Sequence, residues 1–82
     1  MAYHVYILKS LKDNKYYIGS TSNVHARLNY HNSGRQRSTK NRIPFILVLF
    51  EELQSKELAL KRERQIKSWK GGEQFRALIS WK

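Results

Sequence analysis

Five residues of this sequence are of types that together could hydrolyse a phosphodiester: Tyr6, Tyr17, Arg27, His31 and Glu63. That reaction requires an activated water, neutralised phosphate charge and support for the departing oxygen. A hard cation held by one carboxylate can supply the last two, and an arginine can reinforce them. A phenol becomes a base only where nearby positive charge lowers a pKa that starts near about 10. The five residues make sense as a unit, whereas each alone is ordinary. Tyrosines are common in strands. His31 could be a cation at a helix end, where the dipole favours it. Glu63 could merely pair with Lys67 one turn on, or with Lys61 and Arg62 nearby, worth roughly a few tenths of a kcal/mol.

The elements that must position these groups can be read from periodicity. Tyr6 lies in His4-Val5-Tyr6-Ile7-Leu8 and Tyr17 in Tyr16-Tyr17-Ile18-Gly19-Ser20, with ten residues between the two tyrosines. That interval contains the turn-like Lys12-Asp13-Asn14-Lys15, so the two strands should pair antiparallel and bring both phenols to one surface. Along Tyr3 to Lys9, Val5 and Ile7 should face one side and His4, Tyr6 and Leu8 the other. A helix is expected from Ser22 or Asn23 to Asn32, closed by Ser33-Gly34, where glycine permits a left-handed cap. Val24, Arg27, Leu28 and His31 share one of its faces.

Pro44 precedes an apolar run, Phe45 to Phe50, which reads as a strand buried on both faces. Ser55 caps a helix from Lys56 to about Trp69, with Glu57 in its favourable first turn. There Glu63 shares a face with Ala59 and Ile66. Gly71-Gly72 stops that helix, and a short one from Glu73 to about Ser80 turns Phe75, Leu78 and Ile79 inward. The expected fold is α+β: a small, three-stranded, mainly antiparallel sheet with helices packed against it, in the order β-β-α-β-α-α. At 82 residues, with 40% apolar side chains, one domain over residues 1–82 is expected.

Charge points to the partner. Sixteen Lys and Arg against six acids leave a net charge of +10. Such an imbalance repels itself and suits a polyanion, with nucleic acid ahead of an anionic membrane surface. The stretch Arg35 to Arg42 carries Arg35, Arg37, Lys40 and Arg42 without an acid and reads as an exposed, mobile loop. Lys61, Arg64, Lys67 and Lys70 form a second basic face. These eight residues are the expected phosphate contacts. Trp69 and Trp81 could stack on unpaired bases, although helix aromatics more often serve the core. The sequence has no cysteine, which excludes disulfides and thiolate zinc sites. No apolar run approaches the roughly 20 residues that span a bilayer, and no signal-peptide core opens the chain. A cytoplasmic protein that does not enter a membrane is the expectation.

The motifs together resemble the GIY-YIG nucleases. Val5-Tyr6 is similar to the end of the first motif, with His4 at the place of its glycine. Tyr17-Ile18-Gly19 matches the second motif in full. Arg27, His31 one turn later, and Glu63 match the family's helical arginine, its tyrosine-or-histidine position and its metal-binding glutamate. The stretch Glu57 to Trp69 resembles the small stand-alone bacterial members. The resemblance implies an endonuclease that cleaves a DNA phosphodiester with one Mg²⁺ or Mn²⁺, directed by DNA structure or by a partner protein in repair or recombination. It further implies that Tyr6 or Tyr17 activates water, Arg27 steadies the phosphate, His31 assists and Glu63 holds the metal. Two departures stand out. Ser20 occupies the place where some members have a lysine, and no asparagine follows Glu63. They support an alternative, a nucleic-acid-binding protein of the same fold with little or no cleavage. A basic adaptor for RNA or another protein is the reading from a different class.

Overall fold

A computed structural model describes residues 2–80. Strands β1 (Tyr3–Ser10) and β2 (Tyr16–Thr21) are followed by helix α1 (Val24–Asn32). Strand β3 (Phe45–Leu53) and helices α2 (Lys56–Trp69) and α3 (Glu73–Ile79) complete the fold. The sheet order is β2-β1-β3 and both pairings are antiparallel. The observed order of elements is the expected β-β-α-β-α-α.

Local chemistry sets the element ends where the sequence suggests. The Asn23 side chain caps α1 by accepting from the Ala26 N–H, and Ser55 caps α2 by accepting from Leu58 N–H. Asn14 turns the β1–β2 hairpin with φ 61°, and Gly34 leaves α1 with φ 80°. Both are left-handed conformations that asparagine and glycine adopt most readily.

The alternation of β1 is visible in two separate cores. Val5 and Ile7 pack with Ile18, Ala59, Ile66 and Phe75 under α2 and α3. Tyr6 and Leu8 pack with Val24 and Phe45 beneath α1. Helices therefore cover both faces of β1, and Val5 through Leu8 are all buried.

The expectation for β3 is corrected. It is an edge strand rather than one buried on both faces, and Ile46 and Phe50 are 44% and 49% exposed. A short hairpin commits one side of β1 to β2, and β3 adds to the other side of β1 and keeps one free edge itself. An apolar run reports burial but not strand order. The strand also runs on to Leu53, because Glu51 and Glu52 still pair with the start of β1.

The basic segment after α1 is more firmly held than an exposed loop. Thr39 is buried, and a 3₁₀ turn spans Lys40–Arg42. The Ser10 hydroxyl donates to the Arg42 carbonyl. The Asn32 amide both accepts from the Phe45 N–H (2.7 Å) and donates to the Phe45 carbonyl (3.1 Å), stitching α1 to β3. Trp69 packs against the α2-side core with the Arg62 guanidinium 5.2 Å from its ring, so its ring belongs to the core. Trp81 lies outside the described residues. Among the described residues no helix is long and apolar enough to cross a membrane.

Candidate active site

The β1–β2 register brings the two tyrosines together. Tyr6 is paired with Gly19 and Leu8 with Tyr17, so both phenols emerge on the face that α1 covers. Their ring centroids are 6.3 Å apart. Gly19 is required at its position by this arrangement. A Cβ built there would lie 2.6 Å from the Tyr6 hydroxyl oxygen and 2.8 Å from its Cζ. In the sequence Gly19 stands out as the last residue of the Tyr17-Ile18-Gly19 motif, with no sign of its contact with Tyr6. Gly19→Ala is expected to push Tyr6 off its seat and cost about 1–3 kcal/mol of stability, measurable by urea unfolding. A variant as stable as the wild type would show that the phenol has room to move.

Helix α1 delivers His31 against Tyr6. The Tyr6 hydroxyl is 3.1 Å from His31 Nε2, and His31 Nδ1 is 3.0 Å from the Thr39 hydroxyl. The Thr39 hydroxyl donates to the Gln36 carbonyl at 3.4 Å. That direction fixes the others: Thr39 accepts from Nδ1–H, and Nε2 accepts the Tyr6 proton. The tautomer of His31 follows from this network. Tyr17 closes the group, its ring edge-on to His31 at 4.8 Å. The sequence offered no hint of Thr39, because its partner lies eight residues away across the turn after α1.

Electrostatics favour the neutral forms. Burial, foremost, raises the Tyr6 pKa, with Tyr17 and Glu63 adding to it while Arg27 opposes them. His31 is held below its ordinary range by burial and by the Arg27 charge. A histidine neutral in the folded state binds fewer protons than the unfolded chain. Its contribution to stability is complete above about 6.5, the ordinary histidine value, and is lost as pH falls through the depressed folded value. Unfolding titrations across that window should show wild type losing more stability toward acid than His31→Gln. Equal losses would mean that another group carries the acid sensitivity.

Arg27 and Glu63 lie on different helices, and their charges act on Tyr6 in opposite directions. Arg27 is exposed on α1, with its guanidinium 5.5 Å from the Tyr30 ring. Glu63 is largely enclosed on α2, its side chain 15% exposed, and its carboxylate pairs with the Lys67 ammonium at 2.7 Å. Among the described residues no group of three or more His, Asp or Glu could enclose a metal ion. A single carboxylate nevertheless suits a hard ion such as Mg²⁺ or Mn²⁺, which keeps most of its waters and takes further oxygens from a phosphate. Glu63 fits that role once Lys67 swings aside. Arg62, in contrast, is engaged elsewhere: it holds Glu51 of β3 through two bonds of 2.8 and 3.0 Å.

The expected phosphate contacts are distributed over the surface. Arg35, Arg37 and Lys40 stand exposed after α1, and Lys61 and Arg64 stand exposed on α2. Arg42 spends its guanidinium on Asp13 at 3.1 Å. Lys67 is held by Glu63, and Lys70 donates to the Tyr16 carbonyl at 2.7 Å. Ser20 pairs with Val5, on the sheet face opposite Tyr6.

A family model described as the GIY-YIG catalytic domain matches residues 2–75. A UPF0213 protein of Staphylococcus haemolyticus is 46% identical over 68 residues, 82% of each chain. One of Syntrophus aciditrophicus is 40% identical over 77 residues, covering 92% of this chain and 87% of that one. Among solved structures, the solution NMR structure of the UPF0213 protein from Bacillus halodurans is similar, at 36% identity and a TM-score of 0.61. The match covers 98% of this chain and 84% of that one.

Proposed function

The chain belongs to the GIY-YIG family of catalytic domains, a nuclease family, and on that premise we propose that its single domain is a metal-dependent DNA endonuclease. The observation that carries this reading is the buried chain of hydrogen bonds from Tyr6 through His31 to Thr39. Burial favours the neutral Tyr6 phenol, so it is not a ready-made phenolate base. It can relay a proton. As a water oxygen attacks phosphorus, the bond from phosphorus to the departing oxygen breaks and that oxygen takes a proton from solvent, while the water's proton passes to the Tyr6 oxygen and the Tyr6 proton to His31 Nε2. His31 then carries the positive charge, with Thr39 orienting its ring. Tyr17 forms the outer wall of the pair, and Arg27 lends positive charge to the phosphate and to the developing phenolate. Glu63 would hold one Mg²⁺ or Mn²⁺, which supplies Lewis-acid support to the phosphate oxygens and the leaving group.

The exposed bases Arg35, Arg37, Lys40, Lys61 and Arg64 are the proposed contacts to flanking phosphates, joined by Arg42, Lys67 and Lys70 when DNA draws them from their present partners. Selectivity is assigned to DNA structure or to a partner protein, in cytoplasmic repair or recombination. A second reading keeps the fold and the DNA but not the cleavage. It is favoured by the Lys67 ammonium seated on Glu63 and by the raised Tyr6 pKa.

A nicking assay on supercoiled, branched and single-stranded DNA, with and without Mg²⁺ or Mn²⁺, separates the two. Metal-dependent nicking is expected. Tight binding with intact DNA in both metals would establish the binding protein instead.

A further inference from the structure

Beyond the catalytic group, the structure holds a cleft of about 540 Å³ where the β1–β2 turn meets the end of α2 and α3. We infer that this cleft receives one unpaired nucleotide of the DNA strand, base inward and phosphate at the rim. The inference rests on the nuclease reading above and assigns that site its substrate class.

The cleft has two chemically distinct parts. Its floor is Tyr16, Phe75 and Ile79, with the two rings edge to face at 5.2 Å. Its rim is Lys15, Arg42, Lys70 and Arg76, and among the described residues no acid lines it. Asp13 offsets Arg42 from outside. Burial, and then the charges of Arg42, Lys67 and Lys15, hold the Lys70 ammonium below its ordinary pKa. A flat apolar ring bearing a phosphate satisfies both parts at once. The volume lies within the roughly 300–1,000 Å³ of small-ligand sites. A base within a duplex is stacked on both sides and offers no free face, so the nucleotide must be unpaired.

The cleft also lies on the expected strand path. Lys67 follows Glu63 by four residues on α2, and Lys70 follows Lys67 by three, just past the end of that helix. At about 1.5 Å per residue, Lys70 stands roughly 10 Å beyond Glu63. That is the reach of one or two nucleotides from a phosphate at Glu63, since an extended strand advances several ångströms per nucleotide. Lys67 bridges the interval once it leaves Glu63.

Fluorescence anisotropy in EDTA, where no cleavage occurs, tests the assignment on the full chain. The probes are a perfect duplex, the same duplex with a single bulged adenosine, and one whose bulge is abasic. The bulged duplex is expected to bind at least about fivefold more tightly than the perfect one, the scale of one stacked base. The abasic bulge should lose that gain, as should the Lys15→Gln/Arg76→Gln variant, while perfect duplex still binds. Equal affinity for all three probes would overturn the assignment, as would a preference unchanged in that variant. Free deoxyadenosine monophosphate that removed the preference at low concentration would identify a free nucleotide as the ligand and overturn the strand assignment. A preference that emerged only after removal of residues 81–82 would mean that the chain's own end fills the cleft, and would also overturn it. Because EDTA isolates binding, a failed bulge preference beside intact metal-dependent nicking refutes the cleft alone. Absent nicking refutes the nuclease reading.

Discussion

Tyr6→Phe is expected to nick supercoiled DNA about 10²- to 10⁴-fold more slowly than the wild type at equal DNA occupancy, the range for losing a positioned proton-transfer group. The substitution removes one oxygen and leaves the ring, which fills the space over Gly19 and packs with Leu8, Val24 and Phe45. Folding should survive. The cost is the His31 Nε2 left buried without its partner, about 1–3 kcal/mol. Single-turnover nicking beside a urea unfolding curve separates the two effects. If the rate stays within a few-fold of wild type, the proton does not travel through Tyr6. Tyr17→Phe is the matched control, since the contact of Tyr17 with His31 is between rings, at 4.8 Å.

Glu63→Gln is expected to abolish metal-dependent nicking by about 10³-fold or more, because a bound ion contributes several kcal/mol to the transition state. The amide is isosteric, so packing on α2 beside Ala59 and Ile66 is kept. Losing the Glu63–Lys67 pair should cost about 0.3–0.5 kcal/mol, the usual worth of a helical pair at this spacing. Metal binding gives a second readout: Mn²⁺ bound to wild type, followed by the relaxation of solvent water protons, should be lost in the variant. DNA affinity in EDTA should hold or rise, since the variant removes a negative charge near the phosphate path. Unchanged Mn²⁺ binding would remove Glu63 from the metal role.

Most of the fold was legible because its signals are local. Alternation marked β1, the three- and four-residue steps marked α1 and α2, and Asn23, Ser55, Gly34 and Gly71 marked their ends. What was missed depends on distant partners. The strand order that exposes Ile46 and Phe50 follows from how a hairpin uses the edges of β1, which no window of sequence contains. The Asn32 amide that binds both backbone groups of Phe45 reads in sequence as a helix-end residue. The candidate site divides in the same way. Residue types and spacing nominated Tyr6, Tyr17, Arg27, His31 and Glu63, but the need for glycine opposite Tyr6 and the place of Thr39 behind His31 appear only in three dimensions. Lys67 drew attention as a basic-face residue, while its contact with Glu63 was only the bland reading of a helical pair.

In the proposed reaction the proton leaving water passes through Tyr6 to His31. A double-mutant cycle on single-turnover nicking tests it most directly, using Tyr6→Phe, His31→Gln and the double variant, each shown to be folded. If the two residues act as one relay, each single change should cost nearly as much as both together. Losses that add up, with each residue contributing its full effect in the other's absence, would contradict the relay.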